Sequence, residues 1–114
     1  MRHCASYVDK LGFHLIEDTP LDAYTRWVIV APQGPGQTQL LLAKADTAAQ
    51  AARVGDQSGG RVLLFLYTDD FAADYARYRA AGVEFLETPR NEPYGTVAVF
   101  KDLYGNLWDL LQPA

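Results

Sequence analysis

Apolar and polar positions change period several times along the chain, and the changes mark its elements. Residues 61–68, "RVLLFLYT", are an apolar run of strand length with aromatic content, which predicts a buried strand. In "DDFAADYARYRAAG" the residues Phe71, Tyr75 and Tyr78 fall on one face at helical spacing, with Asp69 or Asp70 to cap the start and Gly82 to stop it. "VEFLET" (83–88) alternates with period two and predicts a half-buried strand. "TVAVFK" and "NLWDLLQ" predict two more strands, joined by the turn "DLYGN" with Gly105 at a position calling for positive φ. The second half therefore reads strand–helix–strand–strand–strand. In the first half "RHCASYVDKLG" predicts a helix ending at Gly12. "FHLIED", "RWVIVAP" and "QTQLLLAK" predict three strands, the last two joined by the Gly/Pro-rich turn "PQGPGQ". Residues 46–60 read as a linker holding a short Ala-rich helix. Its "DQSGG" end (56–60) reads as a flexible connector rather than a lid, because Ser/Gly composition carries no chemistry of its own.

One phrase occurs twice. "LGFHLIEDTP" (11–20) returns as "AGVEFLETP" (81–89), with the glycine, the alternation, an acid and Thr-Pro in the same order. Tyr7 then matches Tyr78, Gly12 matches Gly82, "WVIVA" matches "VAVFK", and Gln39 matches Asp109. The expected fold is α+β, a single domain over 1–114 built from two βαβββ modules. Module one covers 1–45 and lacks its leading strand in this chain, the linker covers 46–60, and module two covers 61–114.

Composition narrows the function classes. At 114 residues, 49% hydrophobic and 21% charged, the chain suits one soluble domain with a single core. A net charge of −4 with no Lys/Arg run argues against nucleic acid as a partner. The longest apolar stretches are strand-length, so no membrane span is expected, and the N-terminus lacks a signal-peptide core, so cytoplasm is the expected compartment. A single cysteine, Cys4, offers neither a disulfide framework nor a metal cluster.

The paired modules, with "SYVDKLGF" (6–13) and "KDLYGNLWDLL" (101–111), resemble the vicinal oxygen chelate superfamily of glyoxalase I, the bleomycin-resistance proteins and the extradiol dioxygenases. That family's phrases are "FYxDxLGF" and "DPxGNxWEL"; here Ser6 stands for Phe, Leu103-Tyr104 for Pro-x and Asp109 for Glu. The similarity runs from Ser6 to Pro113. It implies that the modules curl into a cup holding either a divalent metal or an organic ligand. In metal-dependent relatives His and Glu ligands leave two open positions, where vicinal oxygens chelate and an enediolate is stabilised by the Lewis acid. Carried over residue by residue, the first-strand ligand position has no counterpart, the fourth-strand position is Gln39, and the fifth-strand position is Val62 or Leu63. Only the eighth-strand position, Asp109, keeps an acid. His3, in or beside the first helix, and His14, in the second-strand phrase, read as surface histidines. No metal or other cofactor is expected; Asp109 and Gln39 are the ligands if there is one.

The candidate ligand-binding residues are Gln39, Asp109, Arg26, Trp27, Phe65, Phe100 and Tyr104. Alternation places Leu107, Asp109 and Leu111 on one face of the last strand and Trp108 with Leu110 on the other. If Asp109 faces the cup, Gln39 does too, with Leu41. Asp109 either meets a ligand, as hydrogen-bond acceptor, cation ligand or general base, or is a structural acid tied to Arg26 or a backbone amide. An unpaired buried carboxylate is costly, so a partner is expected. Arg26 either binds an anion or sits in a salt bridge. Which faces of "RWVIVA", Phe65 and Phe100 turn inward stays open. Tyr75 and Tyr78 read as helix–sheet contacts, and Tyr94 and Tyr104 as pocket-rim or turn residues. The expected function is metal-independent binding of a small molecule. The alternative is a metal-dependent lyase or dioxygenase whose site is completed by missing or partner-chain residues. The edge left at "QLLLA" by the absent strand adds the expectation of a homodimer.

Overall fold

Glycines and prolines cut the apolar pattern into seven strands and three helices in the computed structural model, which describes residues 5–23, 25–34 and 38–114. Contacts group the chain into two units, one ending at Ala52 and one spanning Arg53–Ala114. The architecture is α+β with two sheets.

In the first unit, α1 (Ser6–Lys10) is a single wide turn, closed by the Leu11 N–H bonding the Ser6 carbonyl at 3.3 Å. Gly12, at φ +71°, redirects the chain into β1 (His14–Pro20), a turn that a side chain would strain. β1 pairs antiparallel with β2 (Arg26–Ala31), and β2 with β3 (Leu40–Leu41). Alternation along β2 buries Val28 and Val30 and leaves Trp27 exposed. Tyr7, Leu11, Phe13 and Leu42 are buried as well, with the Tyr7 and Phe13 rings 5.3 Å apart. The strand expected over "QTQLLLAK" contracts to two paired residues, extended by one bond from the Leu42 N–H to the Val28 carbonyl. The start of the first helix (residues 2–4, with His3 and Cys4) and the second half of the "PQGPGQ" turn (35–37) lie outside the described residues. After β3 comes α2 (Ala48–Ala51), one turn capped by the Thr47 hydroxyl accepting from the Gln50 N–H.

The second unit has four strands, β4 (Val62–Tyr67), β5 (Arg90–Glu92), β6 (Gly95–Lys101) and β7 (Leu107–Pro113), in the order β4-β7-β6-β5. β4 runs parallel to β7, and the other neighbours are antiparallel. The parallel connection carries α3 (Phe71–Ala80), which starts where the Asp70 carboxylate accepts the Ala73 N–H and is followed by Gly82 at φ +93°. Helix and sheet meet in an aromatic chain: Tyr75 on Phe85 at 4.6 Å, Phe85 on Phe100 at 5.6 Å, and Phe100 stacked on Trp108 at 6.0 Å. Phe100, Trp108 and Leu110 are all essentially buried on this side.

Two expectations are corrected here. β4 is not a buried strand: only Leu66 is buried, while Phe65 and Tyr67 are 55% and 63% exposed. β4 is an edge strand of its sheet, so the residues that alternate away from α3 have no second layer over them in this unit. Residues 83–88 form no strand either, only a bridge between Phe85 and Phe100. The Leu86 N–H reaches the Val99 carbonyl at 2.9 Å, but the Val99 N–H goes to the Glu87 carboxylate at 3.2 Å. A side chain thus takes the ladder position of a backbone carbonyl, Pro89 has no N–H to offer, and pairing resumes at Arg90. Among the described residues no helix is long and apolar enough to cross a membrane.

Candidate functional site

The alternation of β7 that buries Trp108 and Leu110 turns Asp109, Leu111 and Pro113 to the opposite face of the sheet. The parallel register sets Phe65 beside Asp109 and Tyr67 beside Leu111, so both β4 aromatics share that face. With Tyr94, from the β5–β6 turn, these residues line an open concavity of about 590 Å³. That is the size range of drug-like ligand sites. Phe65 and Tyr67 meet edge-on at 6.4 Å. Asp109 is the one carboxylate in this apolar and aromatic lining.

Asp109 Oδ1 is shielded from solvent and has no hydrogen-bond partner among the described residues. Burial pushes the Asp109 carboxyl above its ordinary range; the positive charge of Arg90 opposes this and Glu87 reinforces it. Arg90 does not pair with Asp109. Its Nε donates to Glu87 at 3.0 Å and its Nη1 to Glu92 at 2.9 Å, and these bonds hold the guanidinium pKa above its usual value. Arg26, the other partner expected for Asp109, pairs with Asp18 across β1 and β2 at 2.5 Å.

The other candidates are distributed as follows. Phe65 is a wall of the concavity. Phe100 is fully buried opposite Trp108 in the β6–β7 register, so it belongs to the helix side of the sheet and does not line the concavity. Tyr104 stands exposed in the β6–β7 turn, where Gly105 adopts φ +105°. Gln39 is exposed just before β3, Trp27 is exposed on β2, and His14 is exposed on β1, all in the first unit. Sequence reasoning missed Tyr67, Leu111 and Pro113 as lining residues, and the Glu87–Arg90–Glu92 cluster beside Asp109. It left Tyr94 between rim and turn, and Tyr94 is both. The Phe65/Tyr67 spacing of two was a usable signal, but only the parallel β4–β7 register shows that it adjoins Asp109.

The donors around Asp109 do not fit a chelated divalent metal. Its register partners are Phe65 on β4 and Val99 on β6, and neither has a donor side chain. Glu87 is occupied by Arg90 and by the Val99 N–H. Among the described residues no three His, Cys, Asp or Glu side chains are grouped to hold an ion.

Comparison with known proteins places this geometry among relatives. The family described as Glyoxalase/Bleomycin resistance protein/Dioxygenase superfamily matches residues 2–110. An uncharacterized protein of Shewanella frigidimarina (strain NCIMB 400) is 55% identical over 107 residues, covering 93% of this chain and 79% of the relative. The crystal structure of UcmS2 superposes with a TM-score of 0.79 at 31% identity, over 94% of this chain and 84% of that one. The crystal structure of TnmS3, an antibiotic binding protein from Streptomyces sp. CB03234, superposes with a TM-score of 0.77 at 36% identity, over 98% of this chain and 84% of that one.

Proposed function

The chain belongs to the glyoxalase/bleomycin resistance protein/dioxygenase superfamily, and on that premise we propose that it binds a small aromatic molecule without the help of a metal ion. The observation that carries this reading is the concavity walled by Phe65, Tyr67, Tyr94 and Leu111 around the single carboxylate of Asp109. The likeness to an antibiotic-binding protein at 36% identity supports an antibiotic as the ligand class, and the aromatic walls favour one that carries rings. The donor set around Asp109 supports binding without a metal. Burying roughly 200 Å² of a fused-ring ligand stabilises the complex by about 5 kcal/mol before the costs of association. Apolar walls alone therefore give weak binding, and a polar anchor is required for affinity in the micromolar range.

Two finer features belong to the same proposal. The two units are copies of one module: in each, a helix gives way to a glycine of positive φ, Gly12 at +71° and Gly82 at +93°, and the strands that follow pair antiparallel. The chain also works as a homodimer, a reading supported by the exposed Leu15, Ile16 and Leu41 on the outer strands of the first sheet.

The test is a thermal-shift panel of aromatic antibiotics on protein purified without a polyhistidine tag. A ligand at one hundred times its Kd should stabilise the wild type by about 2.7 kcal/mol. A Phe65→Ala/Tyr67→Ala variant should lose that shift while still melting cooperatively, and chelator should leave it unchanged. A stoichiometric metal that disappears in Asp109→Ala would overturn the metal-free reading. Shifts that persist in the double variant would overturn this choice of site.

A further inference from the structure

We propose that Asp109 makes the concavity selective for cationic aromatic ligands, ring systems carrying a protonated amine or a guanidinium group. The inference rests on the small-molecule reading above and names the ligand class for that same site.

Three observations converge on it. First, Asp109 is a half-buried residue in the lining of an open concavity, and its shielded Oδ1 has no hydrogen-bond partner among the described residues, so nothing there inside the fold neutralises the carboxylate. A carboxylate left without an internal counter-charge keeps its charge and its accessible acceptor positions for a ligand that brings a cationic N–H donor. Second, among the described residues the cation whose charge reaches Asp109 is committed elsewhere. Arg90 is held by Glu87 on one side and Glu92 on the other. Three carboxylates therefore stand against one guanidinium in this part of the second unit, and the surplus is negative. An anionic ligand meets repulsion there, and a cation supplies the missing counter-charge. Third, the remaining walls are Phe65, Tyr67 and Tyr94, whose ring faces attract a cation placed over them as well as an apolar ring system stacked on them. An aromatic amine satisfies walls and anchor together. A neutral aromatic satisfies the walls alone.

The sequence gives a physical reason for holding Arg90 back. Glu87 and Glu92 flank it at three residues before and two residues after, and the Glu87 carboxylate is itself fixed by the Val99 N–H. The clamp thus joins Glu87, in the irregular segment that replaces the expected strand, to Arg90 and Glu92 on β5.

Matched probes separate the possibilities. Equilibrium dialysis at neutral pH with 1-naphthylmethylamine (an ammonium), 1-naphthalenemethanol (neutral) and 1-naphthoate (an anion) holds the ring constant and varies only the charge. The wild type is expected to bind the ammonium about tenfold or more tightly than the alcohol, the advantage of a charge-assisted hydrogen bond, and to bind the naphthoate most weakly. Asp109→Asn, checked for cooperative melting, should bring the ammonium to within about twofold of the alcohol. The wild-type ranking stands as a test on its own if that variant fails to fold. Equal binding of the three probes, or a preference for the ammonium that survives Asp109→Asn, would overturn the role of Asp109 while leaving the aromatic pocket in place. Failure of every probe to bind would overturn the pocket reading and this inference with it.

Discussion

A carboxylate whose shielded Oδ1 has no hydrogen-bond partner among the described residues, on a face it shares with Phe65, Tyr67 and Leu111, is the residue-scale feature that sets Asp109 apart. Because burial raises its pKa in the folded chain, the folded state holds this proton to higher pH than the unfolded state does. Stability from this group is therefore full below the unfolded value and is lost as pH rises through the folded one. Asp109→Asn should then raise the Tm at neutral pH and leave it nearly unchanged near pH 3, where the carboxyl is largely neutral in both states. Melting curves across that range check the sign; a variant less stable than wild type at neutral pH would mean that the carboxylate has a stabilising partner. At this scale the sequence was partly legible. Alternation put Asp109 on a face with Leu111, but nothing in the sequence showed that Arg26 answers to Asp18 or that Arg90 is taken up by two glutamates. Phe100 was legible as a strand residue but not as a core one. An alternating strand names two faces and does not say which of them a helix covers.

Among the elements, α3 was the most readable and the segment after it the least. Helical spacing of Phe71, Tyr75 and Tyr78 between an aspartate and a glycine fixes a helix by local rules alone, and its observed limits, Phe71–Ala80, agree. Its start is held twice. Asp70 accepts the Ala73 N–H at 3.2 Å, and Gln112 of β7 accepts the Phe71 N–H at 2.8 Å, a bond between helix and sheet that no local rule supplies. Asp70→Ala should cost about 1 kcal/mol and Gln112→Leu about 1–2 kcal/mol in urea unfolding, with unchanged m values. Costs near zero for both would show that the end of the helix is held by something else. The period-two pattern of 83–88 failed as a strand signal because the Glu87 side chain captures the ladder donor of Val99. The apolar run of 62–67 failed as a burial signal because an apolar residue on an edge strand can face a ligand site as readily as a core.

For the whole molecule, the two phrases "SYVDKLGF" and "KDLYGNLWDLL" were enough to point to the superfamily, whose match then covers residues 2–110. The α+β architecture with two sheets was legible from the order of elements. The concavity was not, since it depends on β4 and β7 being neighbours across a long connection, and sequence proximity says nothing of that pairing. The proposed homodimer is checked by light scattering at tens of micromolar, an order of magnitude suited to moderate affinity; twice the chain mass is expected, and a well-behaved monomer would sink it. The central claim, that the sheet face around Asp109 is where a ligand sits, is tested most directly by mapping backbone amide shifts in an NMR titration with 1-naphthylmethylamine. The account predicts saturable shifts concentrated at Phe65, Tyr67, Tyr94, Asp109 and Leu111. Shifts clustered elsewhere in the chain, or none at all, would contradict it.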